Sequence, residues 1–159
     1  AEVEVDGKRE DAIGDGFRLL ADYIFGNNMV QQDITMTAPV QQQESQKIAM
    51  TAPVQQQSTG KSWLMSFVMP SKYSMDSLPK PNNDRVRLKE ILTTKFVVVD
   101  FSGTNSNENI AEHEKQLFNY IEANKLKITG SPKYAFYNAP WTLPFMRRNE
   151  VMIEINQQQ

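Results

Sequence analysis

The segment Lys133-Tyr-Ala-Phe-Tyr-Asn-Ala-Pro-Trp-Thr-Leu-Pro-Phe-Met-Arg-Arg-Asn-Glu-Val-Met-Ile-Glu-Ile155 joins two apolar runs through a centre interrupted by Pro140 and Pro144. Residues 133–138 and 150–155 are dense in Tyr, Phe, Val and Ile and read as strands. Proline cannot donate to a ladder, so the stretch between them reads as a loop. Trp141, Leu143 and Phe145 alternate within it. Large apolar side chains in a loop either fold back into the core or line a ligand surface.

Upstream, residues 95–101 form another strand-like run. Asn105 and Glu108 then mark a helix start, and Ile110, Leu117, Phe118 and Ile121 supply the buried face of a helix ending near Asn124. The first half repeats this order. Residues 1–5 alternate as a half-buried strand, and Asp6-Gly7 turns the chain. Ile13, Phe17, Leu20, Ala21 and Ile24 line one face of a helix beginning near Arg9 and closing in Gly26-Asn27-Asn28. Gly14 and Gly16 lie inside that helix at a cost of roughly 1 kcal/mol each, so close packing or a ligand should require them. Residues 62–69 form a further strand. Each half thus reads β-α-β-β, which predicts an α+β domain: one antiparallel sheet, curved toward a distorted barrel, with both helices packed on it. A duplicated unit also leaves a groove between its halves, a usual place for small ligands.

Ile34-Thr-Met-Thr-Ala-Pro-Val40 and Ile48-Ala-Met-Thr-Ala-Pro-Val54 are near-repeats, each followed by three glutamines. The repeats read as strands and the glutamine triplets as polar loop. Residues 86–91 and 95–101 read as a hairpin across Thr93-Thr94. At 159 residues the chain is expected to be a single domain over 1–159. A composition of 40% hydrophobic and 23% charged residues is that of a globular protein. The charge of −2, with basic residues dispersed, argues against a nucleic-acid surface. No run approaches the ~20 apolar residues of a membrane helix. The absence of cysteine removes disulfides, thiolate metal sites and thiol nucleophiles. The chain opens at Ala1 without an initiator methionine, as a product lacking a targeting segment would, which leaves a cytoplasmic and an exported protein equally open.

Lys47-Ile-Ala-Met-Thr-Ala-Pro-Val54 and Asn138-Ala-Pro-Trp-Thr-Leu-Pro-Phe-Met-Arg-Arg-Asn-Glu-Val151 resemble the two most characteristic segments of the SOUL/heme-binding protein family, and residues 11–28 are similar to that family's first helix. The resemblance covers nearly the whole chain. It implies a duplicated βαββ fold, shared with bacterial effector-binding domains. It also implies non-covalent binding of heme or a related tetrapyrrole, for transport, buffering or sensing, in a shallow apolar cleft between the first helix and the loop before Arg147. Carried over, the ligand-binding residues are Phe17, Ala21, Trp141, Leu143 and Phe145. Family members usually have a preceding N-terminal strand, expected to be missing here. Basic side chains that suit heme propionates in the best-known heme binders fall here on Gly14, Asp22 and Leu143. The alternatives are an effector-type module for another flat apolar molecule and, behind it, a tetrapyrrole-dechelating enzyme.

Read from the residues alone, Arg147 and Arg148 present planar forks for a carboxylate or phosphate, or else pair with Glu150 or Asp100. Arg147 joins the expected ligand set. His113 is the one imidazole and reads as a surface residue at the edge of the second helix's apolar stripe. Met50, Met65 and Met152 read as core, and Met146 as a loop residue with a functional option. No nucleophile-and-base pair or metal-ligand spacing is visible, so a binding protein without catalytic or metal-ligating residues is expected. Its expected partner is a small apolar or tetrapyrrole ligand.

Overall fold

In the computed structural model, which describes residues 1–30 and 45–156, the chain runs through β1 (Glu2–Asp6), α1 (Arg9–Phe25), β2 (Asn28–Met29), β3 (Val54–Ser58), β4 (Ser62–Phe67), β5 (Lys80–Pro81), β6 (Val86–Arg87), β7 (Lys95–Phe101), α2 (Asn107–Ala123), β8 (Lys133–Phe136), a 3-10 turn (Pro144–Met146) and β9 (Asn149–Ile155). Seven strands form one antiparallel sheet in the order β6-β1-β4-β3-β8-β9-β7, and β2 pairs with β5 separately. The sheet is curved but open, with β6 and β7 as its edges, so the barrel half of the expectation gives way to the curved sheet.

The duplicated order survives in the topology. β1-α1-β3-β4 forms one half and β7-α2-β8-β9 the other. Within each half the first strand pairs with the last and the last with the third, so the halves meet at the β3–β8 pair. Opposed residues on an antiparallel sheet share a face. One row therefore crosses the sheet on a single side: Val3, Met65, Gln56, Tyr134, Val151 and Val99. Both helices pack on this side. α1 covers a core of Val3, Val5, Leu20, Ile24, Met65 and Phe67. α2 covers a second core built from Ile110, Leu117, Ile121, Tyr134, Val151 and Ile153. Trp63 touches both.

Glycine and capping chemistry set the helix ends. Gly7 takes φ +109° in the turn before α1, and Gly26 takes φ +127° just after it. The buried Asn28 side chain donates to the carbonyls of Tyr23 and Gln46 (2.7 Å each), tying the helix end to the returning chain. α2 starts one residue later than expected, capped by Ser106, whose hydroxyl accepts the Asn109 N–H at 3.3 Å. Of the two α1 glycines, Gly16 lies against β4: a Cβ there would meet Met65 Cγ at 2.4 Å and Cβ at 2.8 Å. Gly14 has open space around it.

Several expectations change. Gln55, Gln56 and Gln57 are no loop but most of β3, a central strand, and the Gln56 side chain is buried. Pairing on both flanks satisfies their backbones whatever the side chains prefer. The expected hairpin of 86–91 with 95–101 is absent: β6 pairs with β1 and β7 with β9, at opposite edges. From Arg87 to Lys95 is eight steps, a reach of about 28 Å. Crossing six strand spacings takes roughly 29 Å along a flat sheet. The connection is therefore drawn out over the face opposite the helices. Phe118 and Met50 are exposed, not core, while Met65 and Met152 are buried as expected. The first repeat copy, 34–40, lies outside the described residues, and the second, 48–54, is not the expected strand: only its last residue, Val54, belongs to β3. No described helix is long and apolar enough to cross a membrane.

Candidate functional site

The loop between β8 and β9 is pinned from both ends. Tyr137 donates its N–H to the Arg148 carbonyl (3.2 Å), and Asn138 Oδ1 accepts the Arg148 N–H (2.7 Å). Arg147 reaches back over the loop, its Nε donating to the Thr142 carbonyl (2.7 Å) and its Nη2 to that of Pro140 (2.6 Å). The Pro144 carbonyl accepts the Gly103 N–H at 2.8 Å, and Asn149 Nδ2 donates to the Gly103 carbonyl at 3.2 Å. With its carbonyls held inward, the loop turns its apolar side chains outward. Trp141 is 86% exposed, Phe145 73%, Met146 62% and Leu143 55%. Four large apolar side chains in six residues form a concentrated exposed patch, the kind that marks a binding surface.

The two arginines divide their work. Arg147 props the loop, whereas Arg148 pairs with Glu150, one of its two expected acidic partners, at 2.6 Å and lies 4.7 Å over the Tyr137 ring. Tyr137 donates its hydroxyl to the buried Glu150 at 2.7 Å. Burial, with help from that bond, pushes the Tyr137 phenol up to about 12.

On α1, Phe17 is half-buried and meets Phe67 edge-on at 5.5 Å between centroids, and Ala21 is buried. Phe17 thus has a core partner, and neither cavity described below is lined by it, by Ala21 or by the loop residues. The register links the two regions indirectly. Phe67 opposes Val54, Val54 opposes Phe136, and Phe136 opposes Asn149 at the loop's far end. Phe17 therefore sits over the sheet end from which the loop leaves, two to three strand spacings (roughly 10–14 Å) from its roots. His113 is half-buried, not simply surface: its ring stacks on Phe101 at 4.1 Å, and its Nδ1 lies 2.7 Å from the Asn109 carbonyl.

Two cavities remain, one at the seam between the halves, where the duplicated order predicts a groove, and one that nothing in the sequence signalled. The first is a groove of ≈ 430 Å³ between the helices over the seam, floored by Trp63, Ile110 and Tyr134 and rimmed by Lys8, Glu10, Asn107, Ala111 and Glu114. Arg9 lines it and is 93% buried. Its Nε donates to Asn107 Oδ1 (2.6 Å), its Nη2 to the Asn105 carbonyl (2.5 Å) and its Nη1 to Gln56 Oε1 (3.5 Å), while Gln56 Nε2 donates to the Arg9 carbonyl (3.0 Å). Burial pulls the guanidinium below its ordinary value. Arg9 stands three residues before Ala12 and seven before Gly16, on the buried stripe of α1, so the helical period itself carried the signal. The second is a cavity of ≈ 680 Å³ on the opposite face, between Gln55, Gln57, Leu64 and Phe96 on the sheet and Leu88, Ile91 and Leu92 of the crossing connection.

No curated protein matches the chain at a significant level. The family model of the SOUL heme-binding proteins matches residues 1–154, nearly the full length, and the chain belongs to that family.

Proposed function

We propose that the protein binds heme or a closely related tetrapyrrole, non-covalently, against the loop of Trp141, Leu143 and Phe145, with Phe17 and Ala21 of α1 on the other side of a shallow cleft. The observation that carries the reading is the outward-facing apolar patch on a loop that hydrogen bonds hold fixed, in a chain of a heme-binding family. Removing such a patch from water is favourable at about 25 cal/mol per Å². A preformed loop also avoids much of the ordering cost of binding.

The residues present suit the group in kind. The macrocycle takes flat apolar contact from Trp141 and Phe145. Arg147 supplies a cation beside the patch for a propionate, its remaining N–H groups being free of the two loop carbonyls. Met146 carries an exposed thioether on the same loop, a type of side chain that ligates heme iron. His113 is engaged with Phe101 and Asn109 and is the poorer candidate. The polar groups around the loop hold its shape, which supports binding, in transport, buffering or sensing, over turnover.

Hemin titration followed at the Soret band is the test, with Trp141→Ala and Phe145→Ala as variants. Each should weaken binding about 5- to 150-fold, equivalent to 1–3 kcal/mol of apolar contact. Stability should change by no more than about 0.5 kcal/mol, because both side chains are exposed in the free protein. Wild-type affinity in both variants would remove the loop from the site.

A further inference from the structure

Arg9 is the anomaly of the structure. It is buried beneath the groove between α1 and α2, and its three side-chain hydrogen bonds all go to neutral oxygens, those of Asn107, Asn105 and Gln56. No carboxylate among the described residues lies within ion-pairing distance of it. Glu10 and Glu114 stand on the groove's rim, but Glu10 accepts from Asn107 (3.2 Å) and Glu114 from the Tyr134 hydroxyl (3.1 Å). A guanidinium has five donors, so two remain after these three bonds, and the bond to Gln56 is the longest and weakest of the three. Buried charges are ordinarily paired, and an unpaired one at a cavity wall is a place for an opposite charge to enter.

The rest of the groove limits what that anion can be. Trp63 and Tyr134 lie with ring centroids 6.3 Å apart at 39°, and Ile110 completes an apolar floor. This floor accepts a flat ring. The volume of ≈ 430 Å³ is at the small end of ligand pockets. Two rim carboxylates would repel a doubly charged phosphate more than a single carboxylate. We propose that this groove is a second ligand site, separate from the loop patch, and that it takes a small aromatic monocarboxylate, with its ring on Trp63 and Tyr134 and its carboxylate on Arg9. The proposal does not rest on heme binding.

The probe is 2-naphthoate, with 2-naphthamide as its uncharged counterpart. Binding is measured by calorimetry and by the shift of the Trp63 indole N–H resonance. Naphthoate should bind in the sub-millimolar range, and the amide at least tenfold more weakly. Ala111 is exposed at the groove's edge, so Ala111→Trp fills the groove from outside without touching the core. It should weaken naphthoate at least tenfold, with an unchanged melting temperature and unchanged hemin titration. Arg9→Lys keeps the charge but loses the fork, and should weaken naphthoate similarly if it folds; Ala111→Trp decides the matter if it does not. Absence of naphthoate binding by the wild type, equal affinity for acid and amide, or undiminished binding in Ala111→Trp would each overturn the proposal.

Discussion

The two glycines of α1 offer an experiment in which the same substitution, two residues apart, should have opposite signs. Gly14→Ala puts a methyl into open space on the exposed side of the helix. Alanine is better than glycine in a helix interior by roughly 0.5–1 kcal/mol. For a chain this long, 1 kcal/mol corresponds to about 2–4 °C, so the melting temperature should rise by about 1–4 °C. Gly16→Ala gains the same propensity term but drives its methyl to 2.4 Å from Met65 Cγ and 2.8 Å from Met65 Cβ. Carbon atoms rest best at about 3.5–4.0 Å. The atoms struck are the root of the side chain, which cannot swing away, and Met65 is fully buried between Val3 and Gln56 on its neighbouring strands. Helix and sheet must part, and overpacking of this kind costs about 1–3 kcal/mol. Taking the upper part of that range and subtracting the propensity gain leaves a net loss of about 1–2 kcal/mol, a fall of about 2–8 °C.

Thermal melts followed by circular dichroism distinguish the two directly. Combining Gly16→Ala with Met65→Ala should cost less than the sum of the two, because the truncated Met65 leaves room for the new methyl. If both glycine substitutions shift the melting temperature the same way, or if the pair with Met65 is additive, then close helix-to-sheet approach is not what Gly16 supplies. The result bears on function because Phe17 follows Gly16 directly, so parting α1 from β4 also displaces the α1 wall of the proposed cleft.

Two further outcomes follow from buried polar groups. Gln56→Leu removes both the acceptor for Arg9 Nη1 and the donor to the Arg9 carbonyl, and should cost about 1–3 kcal/mol in urea unfolding; Arg9→Met/Gln56→Leu should recover part of that loss, since a buried polar pair replaced whole leaves fewer orphaned groups, and a double mutant no more stable than Gln56→Leu alone would refute this. Tyr23 is buried with its hydroxyl on the Pro79 carbonyl at 2.8 Å, and burial pushes its phenol up to about 12 from an ordinary 10; the folded state holds this proton more tightly, so the stability it contributes is complete below pH ~10 and is lost as pH rises from 10 to 12, by roughly 2–3 kcal/mol, and Tyr23→Phe should flatten that part of the pH–stability curve.

Where the sequence could be read and where it could not have separate physical origins. Both helices were legible because a 3.6-residue stripe survives whatever packs against it, and Gly26 and Asn124 close them chemically. The duplicated order, and with it the sheet, was legible from the succession of elements. β3 was not, because three glutamines carry no alternation and little strand preference. They are a strand because β4 and β8 pair with them from both sides, a tertiary fact. The false hairpin came from the rule that neighbours in sequence usually pair. Here the duplication puts the two edge strands at opposite sides of one sheet. At the loop, Trp141, Leu143 and Phe145 stood out as alternating large apolar residues between two prolines and through the family resemblance, and of the two fates open to them, core or surface, the structure gives all three the surface. Phe17, by contrast, was legible only as one face of a helix, and that face also meets Phe67.

The groove follows from how the two halves differ at matching places. α1 and α2 are each 17 residues long, so their positions can be compared by count from the start. The eighth residue is Gly16 in α1 and Glu114 in α2. Glycine lets α1 settle against β4. Glu114 stands off the sheet and meets it through the hydroxyl of Tyr134. The twelfth residue is the fully buried Leu20 in one and the 38% exposed Phe118 in the other. The first is Arg9 in one and Asn107 in the other, and these bond to each other across the seam at 2.6 Å. A symmetric pair of glycines would bring both helices down and close the space over Trp63 and Tyr134. With glycine on α1 and glutamate at the matching place on α2, the space over Trp63 and Tyr134 stays open, and Arg9, the one buried cationic side chain among the described residues, lies beneath it. Glu114→Gly should therefore do more than delete a carboxylate. It should let α2 approach the sheet, quench solvent access to Trp63, and abolish naphthoate binding. A Glu114→Gln variant, which keeps the bulk, should leave both intact. If the glycine variant leaves Trp63 as accessible to acrylamide quenching as before, measured in a Trp141→Phe background, then Glu114 is not what holds the groove open.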